Sequence, residues 1–436
     1  MKNNKNKKDF FEKQLKKETQ CLHSGYKPAN GEPMALPVYQ STTFCFDSTR
    51  EIGDMFDLKA EGHMYSRISN PTVESFEKKL AEMEGGSAAV CTVSGQSAVF
   101  IALFNLLSCG DHFISGTKIY GGTTNLFAVT MKRMGIDCTF VDFDGGEEEI
   151  QKAFRPNTRA VFGETLSNPA LAVLDIEKMA AIAHKNKVPL IVDNTFPTPV
   201  LCNPISYGAD IVVHSTTKYL DGHAVQVGGA VIDSGRFDWE SGGFDCFTSP
   251  DASYHGVVYT KTFGALAYAA RLRACLVRDI GLCPPAFSAF LTDLGSQTLG
   301  IRMRAHSSNA LAAAKFFERC GKIQEVIYPG LESNKYHSLA KKYLPKGQSG
   351  VLSVVFGGGR EAGVKFMDSL RLAKNVVHVA DVRTLVLHPA SETHRQLDDR
   401  QLALAGISPG LVRISVGIED IDDILADFEF ALEKVD

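Results

Sequence analysis

DIVVHSTTKYLDGHAVQVGG, residues 210–229, sets a short apolar run, a lysine and several glycines in an order that decides the fold. Ile211-Val212-Val213 is too brief for a helix and β-branched throughout, so it reads as a buried strand. The run ends in His214-Ser215-Thr216-Thr217-Lys218, and glycines follow at 222, 228 and 229. Open α/β sheets bind ligands outside the carboxyl ends of their strands, which is where this lysine falls. Hydroxyls beside it can donate to an anion, and its amine can form a Schiff base with a carbonyl compound. Taken alone, the same lysine is equally an ordinary surface residue after a strand.

Upstream, Pro189-Leu190-Ile191-Val192-Asp193-Asn194-Thr195 reads as another buried strand ending in an acid. Such an aspartate can hold the protonated pyridine nitrogen of pyridoxal phosphate, or serve only a turn or helix cap. Asp193 and Lys218 on successive strand ends favour the cofactor. VDNTF followed by HSTTKYLDGH resembles the cysteine/methionine-metabolism family of pyridoxal-phosphate enzymes.

Composition agrees with a globular protein. The 436 residues exceed one comfortable core, so more than one domain is expected. Hydrophobic residues make up 44% and charged residues 22%, ordinary for a globular chain. A net charge of -4 gives no electrostatic case for nucleic acid or an acidic membrane. No apolar run approaches the ~18 residues that span a bilayer. Residues 1–20 are basic but lack the apolar core of a signal peptide, and read as a frayed, solvated lead-in with some helical character. Ten cysteines are scattered without a C-x-x-C pair, which fits reduced thiols in a cytoplasmic protein better than disulfides or zinc.

From residue 87 to about 235 the pattern alternates strand and helix, with strands at 88–93, 112–115, 137–141, 160–163, 189–192, 211–213 and 229–232. Such alternation predicts a mostly parallel sheet covered on both faces. Ser94-Gly95-Gln96-Ser97 joins the first strand to a helix, a turn able to cradle phosphate with backbone N–H groups. No strand carries G-x-G-x-x-G, which argues against a dinucleotide site. Residues 237–253 form a loop-rich insertion holding the only tryptophan, Trp239. Farther on, 351–356, 384–387 and 412–416 read as strands, with a last helix near 421–432. His388 and His394 lack a third ligand at metal-binding spacing, so no metal is expected. Arg413, flanked by apolar strand residues, would be buried and would need a partner.

The resemblance covers about residue 19 to the C-terminus. It implies an α/β, PLP-dependent transferase-like fold of the aspartate aminotransferase type (fold type I). Residues 1–70 would form an N-terminal arm crossing to a neighbouring subunit, 71–280 the cofactor-binding domain and 281–436 a smaller α+β domain. Lys218 would be the Schiff-base lysine and Asp193 the partner of the ring nitrogen. Gly95, Gln96, Ser215, Thr217, Tyr65 and Arg67 would hold the phosphate, the last two (from YSRISNPT) in a neighbouring subunit. Tyr120 would stack on the ring and help move protons, while Thr195 and Asn168 would touch the ring and its O3′. Arg413, Ser391 and Asn168 would orient an amino-acid substrate.

Within the family the sulfhydrylase branch is nearest, because Tyr120-Gly121-Gly122-Thr123 lacks the cysteine that methionine γ-lyases carry and the 235–256 insertion is long. That implies γ-replacement of the acetate of O-acetylhomoserine by sulfide, in a cytoplasmic homotetramer of dimers with shared sites. The insertion is expected to help close the pocket around a small nucleophile. Cystathionine γ-synthase, methionine γ-lyase and a catalytically lapsed homologue are the alternatives. Glu392 stands where related sulfhydrylases carry a small or uncharged residue.

Overall fold

The computed structural model describes residues 15–393, 395 and 407–436; His394 of the HPASETH stretch lies outside them. Seven strands, β1 (Ala88–Thr92), β2 (His112–Gly116), β3 (Asp137–Val141), β4 (Thr158–Glu164), β5 (Leu190–Asp193), β6 (Ile211–Ser215) and β7 (Gly229–Asp233), form one sheet. Their order is β1-β7-β6-β5-β4-β2-β3. β7 runs antiparallel to both β1 and β6, and the remaining pairs are parallel. The exception has a local cause. Residues 216–228 carry no helix to bring the chain back to the starting edge, so it returns directly alongside β6.

Both faces of this sheet are buried. Leu190, Val192 and Val212 point into one core, whereas Ile191, Ile211 and Val213 point into another. The two-residue period of a strand thus splits a continuous apolar run between two layers.

A second sheet, β8 (Ile323–Ile327), β9 (Val351–Phe356), β10 (Lys374–Asn375), β11 (Leu385–Leu387) and β12 (Leu411–Ser415), has the order β10-β11-β12-β9-β8. The helices Leu299–Glu318, Gly359–Ser369 and Ile421–Glu433 pack on it through Phe317, Phe366 and Phe428. β8 and β10 were not expected, because Ile-Gln-Glu-Val-Ile is half exposed and Lys-Asn fully so.

One expectation is refined and another corrected. Of the 1–20 lead-in, residues 1–14 lie outside the described residues; Lys17–His23 has the expected helical character but is docked on the chain's own body and not frayed. Cys21 is buried, the Lys17 ammonium donates to the Met83 carbonyl, and Glu18 pairs with Arg304 at 2.6 Å. The insertion, for its part, does not border the candidate site of this chain. Trp239 stacks on Tyr268 at 5.5 Å and meets Phe247 at 4.5 Å, in the core that also holds Ile191 and Val213. Burying those rings draws the segment onto the sheet's outer layer.

Candidate active site

Parallel strands β4, β5 and β6 end along one edge, which places their last side chains side by side. Glu164 of β4 is in register with Asp193 of β5, and Asp193 with Val213 of β6. Past Ser215 the chain turns tightly, the Lys218 N–H donating to the Ser215 carbonyl at 3.3 Å. These strand ends line a cavity of about 620 Å³ with Gly95, Gln96, Tyr120, Asn168, Thr195, Thr217, His378 and Arg413.

Lys218 puts an amine into that cavity. Burial and then the nearby Arg413 charge lower its pKa to about 8, so the amine loses its proton far more readily than an exposed lysine. Its Nζ lies 3.4 Å from His378 Nδ1. Arg413 is 8% exposed and, among the described residues, meets no carboxylate. It donates instead to Asn168 Oδ1 at 3.2 Å and to the His378 carbonyl at 3.0 Å. A buried guanidinium hydrogen-bonded to neutral oxygens, with the Glu392 charge near but not paired with it, has capacity left for an anion.

Asp193 accepts from the Thr195 N–H at 2.9 Å, and Thr195 Oγ1 accepts from the Ser215 N–H at 2.9 Å. Burial raises the pKa of Asp193. Glu164 accepts from the Tyr120 N–H at 2.7 Å and is pushed well above the carboxylate range, first by burial and then by the Asp193 charge.

At the opposite wall, Ser94 caps the helix Gly95–Phe104 by accepting from the Ser97 N–H at 3.1 Å. A β-carbon on Gly95 would come within 2.6 Å of Ser215 Cβ, so only glycine lets the helix begin against β6. Gln96 Nε2 donates to Thr123 Oγ1 at 3.3 Å, while its Oε1 is buried without a partner. Thr217 Oγ1 is engaged with the Gly228 N–H and carbonyl. Tyr120 is 50% exposed. A β-carbon on Gly122 would lie 2.5 Å from the Tyr120 ring and 2.9 Å from Gln96 Nε2, which gives the glycine there a steric reason.

Three expected residues fall elsewhere in this chain. Tyr65 and Arg67 line a different cleft, with Tyr39 and Cys283, and the Arg67 guanidinium sits 5.2 Å from the Tyr65 ring centre. Ser391 does not border the Lys218 cavity: its N–H donates to His388 Nδ1 at 3.1 Å, and its Oγ accepts from Arg360 at 3.4 Å. Pro389 and Thr393, from the same turn, line the cavity instead. His388 Nε2 pairs with the Pro409 carbonyl at 2.9 Å, and the described residues hold no group of metal ligands. Glu164 and His378 were not singled out from the sequence. Glu164 closes an apolar strand just as Asp193 does, a signal open to reading; His378 stands in a stretch without any motif.

Pyridoxal phosphate fits these residues. Asp193 is an acid without a cation, where a protonated ring nitrogen would sit. Gly95 and Gln96 line the cavity at the start of the Gly95–Phe104 helix, and a helix N-terminus favours phosphate.

A mostly parallel, doubly covered sheet with a lowered-pKa lysine and an unpaired acid on adjacent strand ends defines a cofactor-dependent enzyme of the α/β class. More particularly, the profile of the Cys/Met metabolism PLP-dependent enzymes matches residues 18–433, and the chain belongs to that family. It is 45% identical to homocysteine synthase of Schizosaccharomyces pombe, across 95% of this chain and 98% of that one. It is 42% identical to O-acetyl-L-homoserine sulfhydrylase of Leptospira meyeri, across 97% of each. Among solved structures, a Campylobacter jejuni protein assigned as an O-acetylhomoserine (thiol)-lyase superposes with a TM-score of 0.92 at 38% identity, over 96% of this chain and 100% of that one; it carries a pyridoxyl-lysine phosphate.

Proposed function

We propose that the chain replaces the acetate of O-acetyl-L-homoserine with sulfide, giving L-homocysteine and acetate. The observation that carries this reading is the convergence of Lys218, Asp193 and Arg413 on one cavity, in a chain whose similar relatives are named homocysteine synthase and O-acetyl-L-homoserine sulfhydrylase.

Lys218 would hold the cofactor aldehyde, Asp193 its ring nitrogen, and Gly95, Gln96, Ser215 and Thr217 its phosphate. Tyr120 would cover the ring, with Thr195 and Asn168 against its face and hydroxyl. Bound pyridoxal phosphate supplies an electron sink for negative charge that develops on the substrate carbons. Arg413 and Asn168 grip the substrate α-carboxylate and turn its Cα–H toward Lys218. Lys218 Nζ, freed by the incoming amine, takes that proton; a pKa near 8 suits it to act as a base close to neutrality. Tyr120, which also lines the cavity, would be a second proton carrier. Gly122 leaves the Tyr120 ring room that a cysteine side chain would take, which favours replacement over γ-lyase chemistry.

Tyr65 and Arg67 of a second copy complete the phosphate site, in a homotetramer built from dimers. Their separation from Lys218 within one chain supports this assignment. Among the described residues, no helix is long and apolar enough to cross a membrane. The unpaired state of all ten cysteines supports a cytoplasmic location.

Product analysis with O-acetylhomoserine plus sulfide, plus cysteine, or alone tests the reading. Homocysteine should dominate with sulfide, with only slow 2-oxobutyrate when sulfide is absent. Rapid 2-oxobutyrate from methionine would overturn it, as would cystathionine outpacing homocysteine when cysteine and sulfide compete at equal concentration.

A further inference from the structure

Two carboxylates at neighbouring strand ends stand out because nothing positive is paired with either. Glu164 and Asp193 are in register across β4 and β5 and both line the cavity. Among the described residues, neither forms an ion pair. Glu164 is 8% exposed and spends one oxygen on the Tyr120 N–H. A second cavity of about 380 Å³ lies on its other side, where Lys118, Lys178 and Lys335 face Asp142, Asp144 and Asp175. Those lysines are already engaged: Lys118 with Asp142 and Asp144, Lys335 with Asp144, and Lys178 with the Phe143 and Gly145 carbonyls. Asp175 is held by the Tyr343 hydroxyl at 2.5 Å.

Adjacent carboxylates without a counter-ion do not both ionise, because burial and like-charge repulsion act together. We propose that Glu164 is a positioning residue that stays protonated, so that the pair carries one negative charge and that charge sits on Asp193. Two features decide which acid keeps the proton. Glu164 is the more buried of the two. Both accept a backbone N–H, Glu164 from Tyr120 and Asp193 from Thr195, but Asp193 also has the Thr195 hydroxyl and lies near His214, which favour its charge.

The consequence concerns two jobs in one cavity. A neutral Glu164 can hold the Tyr120 backbone in place without competing with Asp193 for the ring nitrogen. An ionised one would put a second negative charge beside the cofactor and raise the cost of keeping Asp193 charged.

This inference rests on the cofactor reading of the cavity, and the test separates the two. Pyridoxal phosphate is first titrated onto the wild-type protein by visible absorbance; failure to bind would sink the cofactor reading itself. Infrared difference spectra of wild type minus Glu164→Gln at pH 7 should then show a protonated-carboxyl stretch. In Asp193→Asn that band should vanish at a pH lower by about one unit or more, since the repelling charge is gone. Glu164→Ala should weaken cofactor binding about tenfold through the unpaired Tyr120 N–H, and Glu164→Gln should recover most of that loss. Circular dichroism of the cofactor-free variants checks that each is folded. An ionised-carboxylate band at pH 7, or a glutamine variant as impaired as alanine, would overturn the assignment of a neutral Glu164.

Discussion

Two buried cations in this molecule are treated in opposite ways. Lys79, on the helix Pro71–Glu84, meets Asp293 of the helix Ala286–Gln297 at 2.6 Å, with both side chains about fully enclosed. Arg413 is buried almost as deeply yet, among the described residues, donates only to an amide oxygen and a carbonyl, with the Glu392 charge nearby but not paired with it. Arg302 shows that a missing carboxylate is not by itself the signal. Among the described residues its guanidinium is also without an ion pair, but it is filled by the Tyr219 and Gly295 carbonyls at 2.8 and 2.7 Å and by Thr298, and it does not line the Lys218 cavity. The lesson is that unpaired charge marks a site when it faces open volume. Where charge only joins elements of the fold, the fold fills it, with a carboxylate at Lys79 and with carbonyls at Arg302.

Substitutions sharpen that contrast. Lys218→Ala should lose the visible absorbance of bound cofactor and at least ~10²-fold in turnover, because capture of the cofactor and removal of the α-proton both depend on this amine. A folded variant with an unchanged spectrum would show that another group holds the cofactor. Lys79→Ala should cost about 3–5 kcal/mol in denaturant unfolding, since it strands Asp293 in the core. Arg413→Ala should leave the stability of the cofactor-free protein intact or raise it, while weakening amino-acid binding by ~2–5 kcal/mol in a titration. If it destabilises as strongly as Lys79→Ala, the distinction between a structural and a waiting charge collapses.

Sharing of sites is tested by mixing. Arg67→Ala and Lys218→Ala subunits, inactive apart, should regain activity together, because one of the two shared sites in a hybrid dimer is then whole. No recovery in subunits shown to exchange would assign Tyr65 and Arg67 to their own chain.

The smallest effect is on pH. Burial depresses the Lys218 pKa from 10.5 to about 8 in the fold. Between those values the unfolded chain binds the extra proton, so the stability of the cofactor-free protein should rise with pH across that window. Lys218→Met should remove that contribution, and the rate of cofactor capture by the wild type should climb through pH ~8. A climb centred near 10.5 would mean the amine is solvated.

Much of this site was legible in the sequence because its chemistry sits at the ends of apolar strands. β5 and β6 announce themselves by β-branched runs, and the residues at their carboxyl ends, Asp193 and Lys218, are held in space by the sheet. Arg413 was legible for the same reason, as a charge inside a buried strand. His378 was not: it belongs to no periodic element, and only the packing of the second sheet against the first brings it to Lys218. Glu164 was passed over although its setting matches that of Asp193, because register between strands is a tertiary fact. Ser391 lies off the cavity for a local reason, its hydroxyl accepting from Arg360 at 3.4 Å. The insertion misled because length was read as a lid, while its aromatic content was the better guide to where it packs.

The sheet order also dictates when the site can come into being. β1 lies at the sheet edge and pairs only with β7, Ala88 opposite Asp233. During synthesis, the strand that leads into Gly95 therefore waits with both edges bare until residues well past Lys218 have emerged. Contacts so distant along the chain are slow to form and leave an exposed edge in the meantime. The Gly95 wall of the cavity, although among the first parts made, is among the last to be seated.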